Sequence, residues 1–165
     1  MRELGDGAKK TVVFVHFAAT DLAAHAAGWD LTPNSKYLQA VVKVDRELSK
    51  ILAAIDAQPK LAGHTAIVLT TDHGGGAPFK SHDQNKMWVD YIIPFVVWTG
   101  DGRKGDLYAL NPETRKDPSL ANPAIGAAGL PPVRNGEAGN VVLQLLGLPA
   151  IPGSRFDAQQ NLALR

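Results

Sequence analysis

Two hydrophobic periods alternate along the chain. Thr11-Val12-Val13-Phe14-Val15-His16-Phe17 is β-branched and almost wholly apolar, the pattern of a strand buried inside a parallel sheet. A loop is expected from Ala18 to Asn34, with Gly28 and Pro33 as breakers. From about Ser35 to Ala57 the period becomes helical. Tyr37, Val41, Val44, Leu48, Ile51 and Ile55 recur at steps of three and four, with Lys36, Lys43, Arg46, Glu47 and Lys50 mostly between them. This predicts an amphipathic helix packed on a sheet, stopped by Pro59 and Gly63. Thr65-Ala66-Ile67-Val68-Leu69-Thr70-Thr71 reads as a second buried strand ending at Asp72. Strand, long helix and strand predict a right-handed βαβ unit with parallel strands.

Ile92-Ile93-Pro94-Phe95-Val96-Val97-Trp98 is a third strand, and Pro94 places it near an edge or confines it to the strand start. Residues 100–136 are rich in Pro, Gly, Asn and Asp. That is long for a loop, so the segment is a functional excursion or holds short elements. Glu137 to Leu146 predicts one more helix, stopped by Gly147 and Pro149, and the tail from Pro152 reads as irregular. The expected fold class is α/β: a mostly parallel sheet flanked by helices in a three-layer arrangement, in a single domain over residues 1–165.

Composition narrows the function. With 165 residues, 45% apolar and 20% charged, the chain has the make-up of one globular domain. No apolar run reaches the roughly 18 to 20 residues of a membrane helix, and no membrane partner is expected. The stretch from Met1 to Gly7 lacks a signal-peptide apolar segment, and the sequence assigns no location in the cell. Net charge is +1, without a basic block or an aromatic-interleaved Lys/Arg stripe, so a nucleic acid polymer is not an expected partner. There is no cysteine. A metal would have to be held by His and carboxylate.

Five such groups stand out. Asp21 and His25 are four apart in the expected first loop; Asp72 and His73 are adjacent at the end of the second strand, ahead of Gly74-Gly75-Gly76; His82 follows. Ligands of open α/β sheets bind at the carboxyl ends of the strands, and Asp21 and Asp72 both fall just past such ends. The glycines let the backbone turn sharply and approach a ligand closely. Carboxylate and imidazole together suit zinc, and manganese or iron as alternatives. His16 is expected to be a sheet-face or core residue, and Trp29 and Trp98 to pack.

The segment from Val13 through Thr20-Asp21-Leu22-Ala23-Ala24-His25 to Trp29, the helix from Tyr37 to Asp45, Thr71-Asp72-His73-Gly74-Gly75 with His82, and Ile93 to Trp98 resemble the alkaline phosphatase superfamily. The resemblance is to type I phosphodiesterase/nucleotide pyrophosphatase-like members, including bacterial alkaline phosphatase family proteins. One departure is Ala24, where the family pattern has glycine; another is the absence, ahead of the first strand, of the portion that carries the Ser or Thr nucleophile and a further Asp ligand. The chain therefore resembles a C-terminal, metal-binding portion, a truncated alkaline phosphatase-like fold.

The resemblance implies that Asp21, His25 and His82 hold one metal, and that Asp72 and His73 are half of a second site or act on a water as catalytic base and orienter. The implied function is metal-dependent hydrolysis of phosphate esters by metal-bound hydroxide, with phosphodiesters, phosphotriesters or activated phosphomonoesters as small-molecule substrates and low efficiency. The alternatives are a catalytically inactive metal-binding fragment and one half of a split phosphatase or sulfatase. An uncovered apolar strand also predicts a homo-oligomer.

Overall fold

The computed structural model describes residues 10–83, 87–118 and 129–164. They form a small α/β protein with four α-helices and a two-stranded sheet. The chain divides into two compact units, residues 1–62 with 73–92, and residues 63–72 with 93–165.

In the first unit, α1 spans Ala19–Ala27 and α2 spans Lys36–Asp56. The helix α1 lies where the sequence predicted a loop. Five of its nine residues are alanine, the residue with the lowest cost in a helix, and Gly28 ends it at φ +87° with its N–H on the Ala24 carbonyl at 2.6 Å. Ala24 is fully buried, and α1 packs against α2. The helix α2 follows its predicted period. Ser35 caps it by accepting the Leu38 N–H at 3.2 Å; of the apolar stripe, Ile55 is buried at 7% exposure, Tyr37, Val44, Leu48 and Ile51 are half-buried and Val41 is exposed.

Thr11 to Phe17 corrects the sequence reading. The segment is irregular, and Thr11 to His16 are exposed, Phe14 at 87%. A strand exists only by pairing with a neighbour, and the sheet consists of two other strands. His16 is accordingly not a core residue; it is exposed and stacks on Phe14 at 6.4 Å between ring centroids.

The second unit holds that sheet. Its strands are β1, Ile67–Thr70, and β2, Phe95–Trp98. They pair antiparallel, with Ile67 opposite Trp98 and Thr70 opposite Phe95. The expected parallel pairing is thus absent from the described sheet, because its βαβ argument required a first strand that does not form. Pro94 stands just outside β2, and its carbonyl accepts the Thr70 hydroxyl at 2.9 Å. The Pro- and Gly-rich stretch contains α3, Leu107–Leu110, capped by Asp106. After a 3-10 turn at Asn135–Glu137, α4 spans Ala138–Leu145 and packs on β1.

The tail has no regular structure but is held by side-chain amides. Asn140, 1% exposed, bonds the Ser154 hydroxyl, the Phe156 carbonyl and the Ile151 N–H. Asn111 bonds both backbone groups of Ala163. Leu162 is thereby fully buried, as is Val141 of α4. Among the described residues, no helix is long and apolar enough to cross a membrane.

Candidate metal centre

In the first unit the helix α1 places Asp21 and His25 one turn apart on one face. Nε2 of His25 lies 3.3 Å from Oδ1 of Asp21. His73 approaches the same oxygen from the glycine loop, its Nε2 at 3.7 Å. His82 stacks on His73, with ring centroids 3.5 Å apart and planes 16° apart, and meets His25 edge-on at 5.1 Å.

The loop that carries His73 is fixed by backbone contacts. The Gly74 N–H donates to the Asp90 carbonyl and the Gly75 N–H to the Val89 carbonyl, both at 2.8 Å. A Cβ on Gly74 would stand 2.5 Å from the Ile92 carbonyl oxygen and nearer still to that of Val89. Only glycine fits so close to a neighbouring backbone. His82 lies in the turn where the Ser81 hydroxyl donates to Asp83 at 2.6 Å.

This geometry suits a cation. Nδ1 of His73 lies 2.8 Å from the Gly74 carbonyl oxygen and so donates its proton there, which leaves the lone pair on Nε2. A carbonyl on the far ring nitrogen is the usual support for a metal-binding histidine. Oδ1 of Asp21 is shielded from solvent and has no hydrogen-bond partner among the described residues. Two imidazole nitrogens thus converge on this carboxylate oxygen, and a cation held between them would satisfy it. One ligand atom each from Asp21, His73 and His82 lies within 4.8 Å of the others. Tetrahedral zinc sets its ligands about 3.3 Å apart, so the three would close by an ångström or so around the ion. His25 stands beside them.

Of the expected ligands in the first unit, His25 lies against Asp21, with its Nε2 3.3 Å from Oδ1. His73 comes together with Asp21 and His82. Asp72 belongs to the second unit, where its carbonyl accepts the Asn135 amide at 2.6 Å.

A model of the family "Type I phosphodiesterase / nucleotide pyrophosphatase" matches residues 2–141, which include all five sequence candidates. The chain belongs to this family. It is also 26% identical over 159 residues to a 2,3-bisphosphoglycerate-independent phosphoglycerate mutase of Acaryochloris marina (strain MBIC 11017). That similarity covers 92% of this chain and 26% of the mutase, so the chain spans about a quarter of the length of that relative. No solved structure matches the chain.

Two sets of contacts in this family member lie beyond the sequence reading, which expected Trp29 to pack without naming its partners. Trp29 packs against Gly75 and meets His25 edge-on at 6.2 Å. In the second unit Arg115, 5% exposed, joins Glu137 and Asp157 at the wall of a cavity of about 240 Å³. Its guanidinium donates to Glu137 Oε2 twice at 3.2 Å, to Asp157 Oδ1 at 3.0 Å, to Asn161 Oδ1 at 3.1 Å and to the Thr114 carbonyl at 2.9 Å. All five of its N–H groups are thereby used. Burial pushes the Glu137 carboxyl above the usual range, and the charge of Arg115 opposes that shift. Arg115 thus has no donor left for a ligand, while Asp157 Oδ2 stays buried without a hydrogen-bond partner among the described residues.

Proposed function

We propose that the chain is the metal-binding part of a hydrolase acting on phosphate esters, with phosphodiesters, phosphotriesters or activated phosphomonoesters as substrates. The reading rests on family membership and is carried by one observation: Asp21 Oδ1, buried and without a hydrogen bond among the described residues, faces the Nε2 atoms of His25 and His73. Zinc fits this oxygen and nitrogen donor set, with manganese or iron as alternatives.

In this reading Asp21, His73 and His82 hold the ion, and it supplies Lewis acidity at a phosphoryl oxygen and acidifies a water. Asp21 brings the negative charge that neutralises part of the ion. His73 is kept in one tautomer by the Gly74 carbonyl, so its ligand nitrogen needs no proton rearrangement. His25, its Nε2 3.3 Å from Asp21 Oδ1, would serve as a further ligand or take a proton from the attacking water. Substrates with good leaving groups, such as aryl phosphodiesters, need the least assistance.

A second reading is favoured by the quarter-length match to the mutase. The chain would then bind metal but turn over only when joined to further residues that bring a nucleophile, as one half of a larger or split enzyme. Elemental analysis of the purified chain, with turnover of an aryl phosphodiester before and after chelation, separates the two. About one metal per chain with chelator-sensitive turnover that His73→Ala abolishes supports the hydrolase. Metal without turnover supports the second reading. No metal at all refutes both.

Self-association is part of the proposal. Val12, Val13, Phe14 and Val15 are each more than half exposed, and an apolar segment with unpaired backbone seeks a partner strand. Light scattering at micromolar concentration should show a homo-oligomer that Phe14→Asp dissociates; a monomeric wild-type chain would count against it.

A further inference from the structure

Trp29 stands where the two segments bearing the histidines meet. It follows α1 directly, because Gly28 turns the chain out of the helix at φ +87°. The turn is held by Lys80, whose Nζ donates to the Ala26 carbonyl at 3.4 Å. The half-buried indole then lies against the backbone of Gly75. A Cβ on Gly75 would stand 2.6 Å from the indole Nε1 and closer still to Cε2 and Cζ2. Toward α1, the same ring system meets His25 edge-on at 6.2 Å. One rigid side chain therefore touches a histidine of α1 and the loop that starts at His73.

We propose that Trp29 is a positioning residue for the metal centre: its indole, set between His25 and Gly75, fixes the distance between α1 and the His73 loop. The inference rests on the metal reading above. Its physical basis is that the loop has three consecutive glycines, Gly74, Gly75 and Gly76, and so no side chains of its own to hold it against α1. Glycine backbone has the most freedom to lose, whereas an indole has only two side-chain torsions and a flat, stiff surface. Metal ligands must sit within about 0.2 Å of their working distances. The indole restricts the loop to positions from which His73 Nε2 reaches the ion together with Asp21.

The test is zinc affinity of the full chain by competition with a chromophoric chelator, with the visible absorption of the cobalt(II)-loaded chain as a second readout. Trp29→Ala should weaken zinc binding about 10- to 100-fold, the range for residues that support ligands, and change the cobalt band pattern. Trp29→Phe should recover most of the loss. The decisive comparison is a double-mutant cycle. Gly75 lies at φ +158°, where alanine is strained in either background, so Gly75→Ala should cost affinity in both, but at least about tenfold more beside Trp29, where its Cβ also collides with the indole, than in the Trp29→Ala background. If circular dichroism shows Trp29→Ala to be unfolded, Gly75→Ala is compared with Gly75→Ala/Trp29→Phe, where the smaller ring should return affinity.

Independent, additive effects would overturn the proposal, as would unchanged zinc affinity in a folded Trp29→Ala chain that binds zinc as the wild type does. In the Phe comparison, no return of affinity would overturn it too. A wild-type chain that binds no zinc removes the metal reading and this inference together.

Discussion

Replacing Gly74 by alanine tests whether the His73 loop is held by close backbone contact. The added methyl would stand 2.5 Å from the Ile92 carbonyl oxygen, with the Val89 carbonyl oxygen nearer, whereas real Cβ contacts essentially never fall below 3.0 Å. The obstacles are backbone atoms, so no side-chain rotation relieves them, and the loop must withdraw by about half an ångström or more. Withdrawal stretches the bonds from Gly74 N–H to Asp90 and from Gly75 N–H to Val89, now 2.8 Å each. Two such bonds contribute about 1–3 kcal/mol net, and overpacking costs about 1–3 kcal/mol. The two costs trade against each other, so about 2 kcal/mol is expected, a large part of a domain's ~5–15 kcal/mol. Urea unfolding followed by circular dichroism measures it, and zinc affinity should fall with it because His73 is the preceding residue. Gly139→Ala is the control. Inside α4 it meets only the flexible Ile151 Cδ1, at 3.2 Å, and alanine should be neutral or gain up to about 1 kcal/mol. A Gly74→Ala chain within about 0.5 kcal/mol of wild type, with unchanged zinc affinity, would refute the reasoning.

The second unit gives two further predictions. Arg115→Ala leaves Glu137 and Asp157 buried without their cation and should cost about 3–5 kcal/mol in urea unfolding; a loss below about 1 kcal/mol would show that the network contributes no more than a surface ion pair. Burial raises the folded-state pKa of Glu137 against the opposing charge of Arg115. Because the folded form holds its proton more tightly, the contribution of Glu137 to stability is fully present below the ordinary glutamate range and is lost as pH rises through the raised value. The stability difference between wild type and Glu137→Gln should therefore move against the wild type across that window. A constant difference, or one moving in favour of the wild type, would contradict the assignment.

What the sequence determined by itself is local. The period of Tyr37, Val41, Val44, Leu48, Ile51 and Ile55 was enough for α2, since a helix makes its own hydrogen bonds and needs only one apolar face. The cores of β1 and β2, the position of α4 and the irregular tail were legible for similar reasons. So were the residue types able to hold a metal. Tertiary structure decided what depends on partners. Thr11 to Phe17 has a strand's composition, but a strand requires a neighbour, and the sheet pairs β1 with β2 antiparallel. The loop expected after it is α1, because the alanines between Asp21 and Ala27 outweigh Gly28 and Pro33, which lie beyond the helix.

The same division runs through the site. Asp21 and His25 share a face by helical spacing alone, but His73 reaches Asp21 only because Gly74 and Gly75 dock on the Asp90 and Val89 carbonyls. The contact of Trp29 with Gly75, and the joining of Arg115 to Glu137 and Asp157, link residues dozens of positions apart or nearly so. No periodicity encodes such contacts, since they follow from how separate segments pack, and packing is a property of the folded chain rather than of any window of its sequence.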